Sequence, residues 1–308
     1  MLKVIELFAG VGSQTQALKN IGVEHEVIGI AEIDKYAISS YMQLHGETHN
    51  FGDISKIEKL PGADLWTYSF PCQDLSVIGD QAGIKIGTRS GLLFEVERLL
   101  ENSERPKYLL MENVKNLVGK KNKPDFDRWC QKLEDLGYKN YWQVLNAKDY
   151  GVPQNRERIF MVSILGEHKP YIFPKELNLT TKFKEVLSEH LEVPKHIIDG
   201  YLRKKSIFKN RFKTSDGNVA SCLVCKNGWG VITNNFYTND FKNYTLEEIK
   251  NNDIDLFALA PVEYWRLMGW KDEQFNKIKG ISNSQLYKQA GNGIVVTVLE
   301  RIFEELFK

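Results

Sequence analysis

Lys3-Val-Ile-Glu-Leu-Phe-Ala-Gly-Val-Gly-Ser-Gln-Thr-Gln-Ala-Leu-Lys-Asn20 passes from an apolar run through two glycines into a helical pattern. Residues 3–8 predict a strand, Gly10 and Gly12 a turn, and residues 13–20 a short helix closed by Gly22. Glycines in that turn let backbone N–H groups approach a ligand beside a helix N-terminus. The spacing departs from the dinucleotide fingerprint, because Ser13-Gln-Thr15 stand where a third glycine would fall. The alternation continues downstream. Strands are expected at 26–32, 65–70, 108–111, 141–146 and 158–165, and helices at 35–45, 90–102 and 125–136. The helix at 90–102 carries apolar residues at 92, 93, 96, 99 and 100, the spacing of one buried face. Strands alternating with helices predict an α/β fold, a largely parallel sheet covered on both faces.

The 308 residues suffice for one large domain and a smaller lobe. With 42% hydrophobic and 26% charged residues the composition is that of a globular protein. No apolar stretch approaches the roughly 20 residues of a membrane span, and Met1-Leu-Lys-Val-Ile reads directly as strand, so neither a membrane segment nor a signal peptide is expected. Four scattered cysteines (Cys72, Cys130, Cys222 and Cys225) do not make a disulfide framework and suit a reducing cytoplasm. Cys222-Leu-Val-Cys225 has metal-ligand spacing without a second ligand pair, so no metal is expected; Cys130 reads as core. A net charge of +1 gives no global attraction to a polyanion, which would need a local basic face. Residues 203–213 supply one: Arg203, Lys204, Lys205, Lys209, Arg211 and Lys213, with no acidic residue among them. Two readings stand, a solvated helix face and a phosphate-contacting surface.

Phe70-Pro71-Cys72-Gln73 ends the strand expected at 65–70. The thiol therefore falls on a loop at the carboxyl edge of the sheet, where α/β proteins hold ligands, and is a candidate nucleophile. Glu112-Asn113-Val114 ends the next strand, so its carboxyl group would face the same edge as a candidate general acid. Glu32, about 20 residues past the glycine turn, is either an exposed strand-end carboxylate or an acceptor for ribose hydroxyls, and the turn upstream favours the second. Asp53 is a further strand-end acid suited to an adenine amino group. In Gln154-Asn-Arg-Glu-Arg158 the arginines suit a base carbonyl or a phosphate.

In this order, these pieces resemble the cytosine-C5 DNA methyltransferase family, and Gln289-Ala-Gly-Asn292-Gly293 resembles its last motif. The resemblance runs from residue 5 to about 165 and resumes at about 259–296. It implies a Rossmann-like S-adenosylmethionine-dependent methyltransferase sheet, formed by residues 1–174 and 282–308, with a smaller irregular target-recognition lobe at 175–281. Phe8, Ala9, Gly10, Val11, Gly12, Glu32, Ile33, Asp53, Ile54, Pro71, Leu92 and Asn292 would bind S-adenosylmethionine. Cys72 would attack C6 of a cytosine flipped out of double-stranded DNA. Glu112 would serve N3, Asn113 would fix that geometry, and Arg158 would hold the base carbonyl with Arg156 close by. Gln73, Ser76 and the basic residues of 203–213 would contact DNA. A monomer in the cytoplasm, with a separate cognate restriction endonuclease as a further partner, completes the expectation. One branch of the family acts on tRNA and carries a Cys-Phe-Thr tripeptide in the variable segment; none occurs here.

Overall fold

Tyr68 and Trp129, both buried, show how the first layer of helix is fastened to the sheet: the Trp129 indole N–H donates to the Tyr68 hydroxyl at 3.1 Å, with the rings edge to face. The structure is a computed structural model, and it describes residues 1–71, 90–187, 191–192, 219–223, 229–233 and 254–308. Strands β1 (Leu2–Leu7), β2 (His25–Ala31), β3 (Leu65–Tyr68), β4 (Tyr108–Val114), β5 (Tyr138–Asn146) and β7 (Glu157–Leu165) form one sheet in the order β2-β1-β3-β4-β7-β5. β6 (Gln154–Asn155) lies outside it. β1 pairs in parallel with β2 and β3, and β3 with β4, whereas β7 is antiparallel to both β4 and β5. Only β7 is therefore reversed within this sheet. Its first residues, Glu157 and Arg158, consequently lie at the edge where β4 ends.

The apolar runs form strands because both faces of a parallel sheet are covered: Val4, Ile5, Leu7, Leu65 and Trp66 are completely buried. Helices α1 (Ser13–Asn20), α2 (Lys35–His45), α3 (Leu93–Asn102) and α4 (Lys123–Asp135) follow the predicted alternation. Asp34 caps α2 by accepting from Tyr36 N and Ala37 N. α3 buries Leu93, Val96, Leu99 and Leu100, and the turn before it, Ser90–Leu92, is 3-10 rather than α. α4 starts two residues earlier than the periodicity suggested, because Pro124 is well accommodated in a first turn. Cys130 is half-buried against the core, and burial pushes its thiol up to about 12.

By internal contacts the chain divides into two units. The first comprises Met1–Asn146, Glu157–Lys175 and Val298–Lys308; the second comprises Ala147–Arg156 and Glu176–Thr297. Inside the first unit the chain's end returns to its beginning. Asn20 donates to Glu300 at 2.6 Å, and Tyr171 donates to the Ile302 carbonyl at 3.2 Å. The second unit holds an antiparallel sheet, β10 (Trp229–Thr233), β11 (Ile254–Ala258) and β8 (Leu191–Glu192). It also holds a short parallel pair, β6 with β9 (Ala220–Ser221). Helix Pro261–Leu267 lies against helix Asn283–Asn292, with the Trp265 indole donating to Leu286 O and the Tyr287 hydroxyl to Leu259 O.

Helical spacing runs from Gln285 to the C-terminus, yet two helices form, Asn283–Asn292 and Val296–Phe307, separated at Gly293, which is extended (φ −68°, ψ 166°). Helical periodicity survives across the break because Val295, Val298, Leu299, Ile302 and Phe303 are all buried.

Beneath the glycine turn lies Glu6, fully buried. Its Oε1 accepts from Thr15 N at 2.8 Å and Thr15 Oγ1 at 2.9 Å, while Oε2 has no hydrogen-bond partner among the described residues. Burial pushes this carboxyl up to about 7, against the pull of the Thr15 bonds. Between the unfolded value of 4.5 and about 7 the unfolded chain releases a proton that the folded one retains. Folding stability therefore falls as pH rises through that window, by about 3 kcal/mol in total from this group. Glu6→Gln keeps the acceptor for Thr15 and cannot ionise. Its stability, measured by urea unfolding at pH 5 and pH 8, is expected to fall less over that interval than that of the unsubstituted protein; equal losses would show that Glu6 does not titrate there.

Candidate active site

The glycine turn leaves β1 under tight constraint. Phe8 adopts φ 58°, and its N–H donates to Ala31 O on β2 at 2.8 Å. Gly12 (φ 77°) has no room for a side chain, since a Cβ there would lie 2.5 Å from His45 Nε2 and 2.6 Å from Tyr41. Gly10 (φ 57°) differs: nothing lies within 4 Å of a Cβ at that position, so its backbone faces open space. Ala9 and Val11 are buried beside it.

Glu32, just past β2, braces this turn. Its Oε2 accepts from Gly10 N at 2.9 Å, and its Oε1 from Ile33 N and Asp34 N at 2.9 and 2.8 Å. Asn50 holds the Glu32 backbone from behind, accepting from its N–H and donating to its carbonyl. Three of the roughly four acceptor positions of a carboxylate are thus in use, and a ribose hydroxyl would join an oxygen that already orients the turn. Ile33 is 73% exposed, an aliphatic surface of the kind a planar ring covers. Asp53 caps the turn Ile54–Lys56; its Oδ1 accepts from Ser55 N and Ser55 Oγ, and those bonds hold its carboxyl below the usual range. Ile54 is buried, and Leu92 packs half-buried against the core. An open glycine backbone, an oriented carboxylate and an exposed apolar side chain fit an adenosine moiety.

At the end of β3 and β4 a second group assembles. Pairing of Tyr68 with Met111 sets Ser69 beside Glu112, and the Ser69 hydroxyl donates to Glu112 Oε2 at 2.5 Å. Arg158 stands opposite Val114 across the antiparallel β4–β7 pair, one diagonal step from Glu112. Its Nε lies 3.2 Å from Glu112 Oε1. Glu112 is 5% exposed, so both of its oxygens are met inside the protein. Asn113 turns the other way: its Nδ2 donates to Phe70 O at 3.1 Å, and its Oδ1 accepts from Val114 N. That bond ties β4 to the residue before Pro71, which is half-buried. A hydrogen-bond donor or acid, a cation and a fixed strand end therefore occupy one place.

Arg156, which shares a motif with Arg158, lies in the second unit, buried, and donates from Nη2 to Gly291 O (2.9 Å) and Gly293 O (2.8 Å) and from Nη1 to Leu223 O (3.2 Å). Alternation explains the difference, because residues two apart share a face only while the strand is regular, and the β6–β7 junction at this residue is not. The guanidinium instead satisfies carbonyls at the end of helix Asn283–Asn292. Gln154 reinforces it, donating to Leu267 O and accepting from Leu223 N. Asn292 is exposed in the second unit. Cys72, Gln73, Ser76, Cys225 and the basic residues Arg203, Lys204, Lys205, Lys209, Arg211 and Lys213 lie outside the described residues. Sequence reasoning passed over Ser69, whose only signal is its place ahead of Phe70-Pro71, and the roles of Tyr41 and His45 against Gly12.

The profile of the family described as C-5 cytosine-specific DNA methylase matches residues 2–308. Type II methyltransferase M2.ScrFI of Lactococcus lactis subsp. cremoris is 36% identical over 370 residues, spanning 100% of this chain and 99% of that protein. Orphan methyltransferase M.SssI of Spiroplasma monobiae is 32% identical over 390 residues, spanning 99% and 97%. Among solved structures, S. pombe Dnmt2 methyltransferase (TM-score 0.77, 18% identity, all of both chains) shares the fold. So does the Entamoeba histolytica methyltransferase EhMeth (TM-score 0.78, 18% identity, 100% of this chain and 98% of that one).

Substitution of Arg156 by Leu would leave three carbonyls, two of them buried, without their donor. A loss of about 2–4 kcal/mol is expected, read as a fall in the thermal midpoint of roughly 5 °C or more. An unchanged midpoint in calorimetry would mean that the clasp contributes nothing.

Proposed function

We propose that this chain, which belongs to the C-5 cytosine-specific DNA methylase family, carries out its reaction at the end of β3 and β4, with Cys72 as nucleophile and Glu112 as acid. It is a DNA (cytosine-5-)-methyltransferase. S-adenosylmethionine is its cofactor and supplies the methyl group. The observation that supports this placement is the setting of Glu112: buried, held on one oxygen by Ser69 and on the other by Arg158, next to an asparagine that grips the carbonyl two residues before Cys72.

Cytosine C5 is too electron-poor to take a methyl group unaided. A thiolate at Cys72 adds to C6, and the electron pair released into the ring would leave negative charge on N3 and the exocyclic carbonyl. Glu112 donates a proton at N3 as the S–C6 bond forms. Arg158 is the cation suited to the carbonyl. C5 then behaves as the nucleophilic carbon of an enamine. After methylation, the C5 proton passes to solvent, its bonding pair re-forms the C5–C6 double bond and expels Cys72 as thiolate, and N3 returns its proton to Glu112. A base stacked in a duplex exposes no face to the thiol, so the target nucleotide has to be flipped out. Gly10, Gly12, Glu32, Ile33 and Asp53 hold the cofactor, with Phe8, Ala9, Val11, Ile54, Pro71 and Leu92 shaping the walls of the same place.

The second unit, with the basic segment 203–213, serves target recognition, and Gln73 and Ser76 meet the DNA beside Cys72. The substrate is DNA, and we take it to be a short double-stranded site. Relatives named as type II and orphan methyltransferases support a modification role, either with a cognate endonuclease or without one. No helix among the described residues is long and apolar enough to cross a membrane, and the protein is proposed to work as a monomer in the cytoplasm.

Purified protein, labelled S-adenosylmethionine and unmethylated DNA should yield 5-methylcytosine. Cys72→Ala should lose more than about 10³-fold in turnover, and Glu112→Gln about 10²–10⁴-fold. Duplex containing 5-fluorocytosine should be trapped on Cys72, because fluorine at C5 cannot leave as a proton. Turnover by the Cys72 variant at the unsubstituted rate would end this reading. Bisulfite sequencing of DNA from cells expressing the protein would return the site.

A further inference from the structure

We propose that Ser69 is a positioning residue for Glu112, selecting the carboxyl oxygen that carries the proton destined for cytosine N3; this rests on the reading of Glu112 as the acid. The two contacts on that carboxyl group are chemically unlike. Arg158 Nε, 3.2 Å from Oε1, can only donate. A proton on Oε1 directed at it would set two donors face to face, so the Arg158 side favours an unprotonated Oε1. The acidic proton therefore belongs on Oε2, the atom 2.5 Å from the Ser69 hydroxyl. A hydroxyl both donates and accepts and turns freely about its C–O bond. It donates to Oε2 while that oxygen is charged, and it can turn to accept, or keep donating to the second lone pair, when the oxygen is protonated. Ser69 is thus the one contact named on this carboxyl group that suits both of its protonation states.

Geometry rather than chance contact sustains the pair. Ser69 directly follows β3, whose parallel register with β4 matches Tyr68 to Met111, so the next residues on the two strands are Ser69 and Glu112 themselves. Asn113 fixes Phe70 O on the far side of Ser69. The hydroxyl is consequently held from both directions along the chain. A strand-end serine serving only to satisfy its own hydroxyl would have solvent or backbone to choose from, since Ser69 is half-buried rather than enclosed. It meets the buried carboxylate instead.

During the reaction the proton passes from Glu112 Oε2 to N3 as the Cys72–C6 bond forms, and returns as that bond breaks. No other reactant is consumed. Because Ser69 acts through Glu112, its loss should slow the chemical step only while Glu112 is there to be positioned, so the two residues are coupled.

The test is single-turnover methylation of a cognate duplex, with saturating S-adenosylmethionine, for Ser69→Ala, Ser69→Thr, Glu112→Gln and the double variant Ser69→Ala/Glu112→Gln. Ser69→Ala is expected to lower the maximal rate about tenfold, with the affinity for DNA unchanged. Ser69→Thr, which keeps a hydroxyl, is expected to restore the unsubstituted rate, and the double variant to be no slower than Glu112→Gln alone. A Ser69→Ala enzyme at full rate, or one whose loss persists in full on the Glu112→Gln background, would overturn the positioning role and leave the acid role standing. Glu112→Gln at full rate would overturn both.

Discussion

A carboxyl group at the buried end of a strand is tolerated only when its oxygens are met, and Glu112 is met on both. Two features of the sheet make that possible. Parallel pairing of β3 and β4 carries the residue after Tyr68 to the residue after Met111. Reversal of β7 brings the beginning of one strand to the edge where the others end, and Arg158 arrives there from a direction that no parallel strand offers. Were β7 parallel, its first residues would lie at the opposite edge. The site therefore depends on the one strand that breaks the parallel pattern.

The turn after β1 follows a related logic. Glu32 is bound to the backbone N–H groups of Gly10, Ile33 and Asp34, so the acidic side chain at the end of β2 and the glycine turn at the end of β1 hold each other. Gly12 has no side chain because Tyr41 and His45 of α2 occupy the space, while Gly10 has none because its backbone adopts positive φ beside open space. Two glycines two residues apart thus answer to opposite constraints. One leaves no room for a side chain and the other leaves its backbone open.

Much of this was legible in the sequence. The helices at 13–20 and 35–45 fall where periodicity placed them, and the strands of the sheet differ from expectation by only a few residues at their ends. Glu32, Glu112, Asn113 and Arg158 stand at strand ends as their motifs implied. Arg156 and Ser69 were not legible, for physical reasons. Two arginines separated by one residue look equivalent in a motif, yet the break between β6 and β7 gives them different partners. Ser69 is a small polar residue whose importance comes from register between strands 43 positions apart in sequence, which local pattern does not encode. Glu6 was visible as a letter in the glycine turn, but its burial, and the neutral form that burial favours, arise only when α1 and α2 close over it. The helix break at Gly293 leaves no local signal, because the apolar stripe continues past it.

Arg156 leaves a mark on how such a protein can be recombined. Its guanidinium gathers three carbonyls from two stretches far apart in sequence, near 223 and near 291–293. A specificity segment exchanged between relatives would therefore have to bring a loop of matching shape at 223, or cross over beyond it. Otherwise the graft would be charged at its centre with nothing to receive the charge. Modularity in this chain has seams, and the arginine marks where one of them cannot be cut.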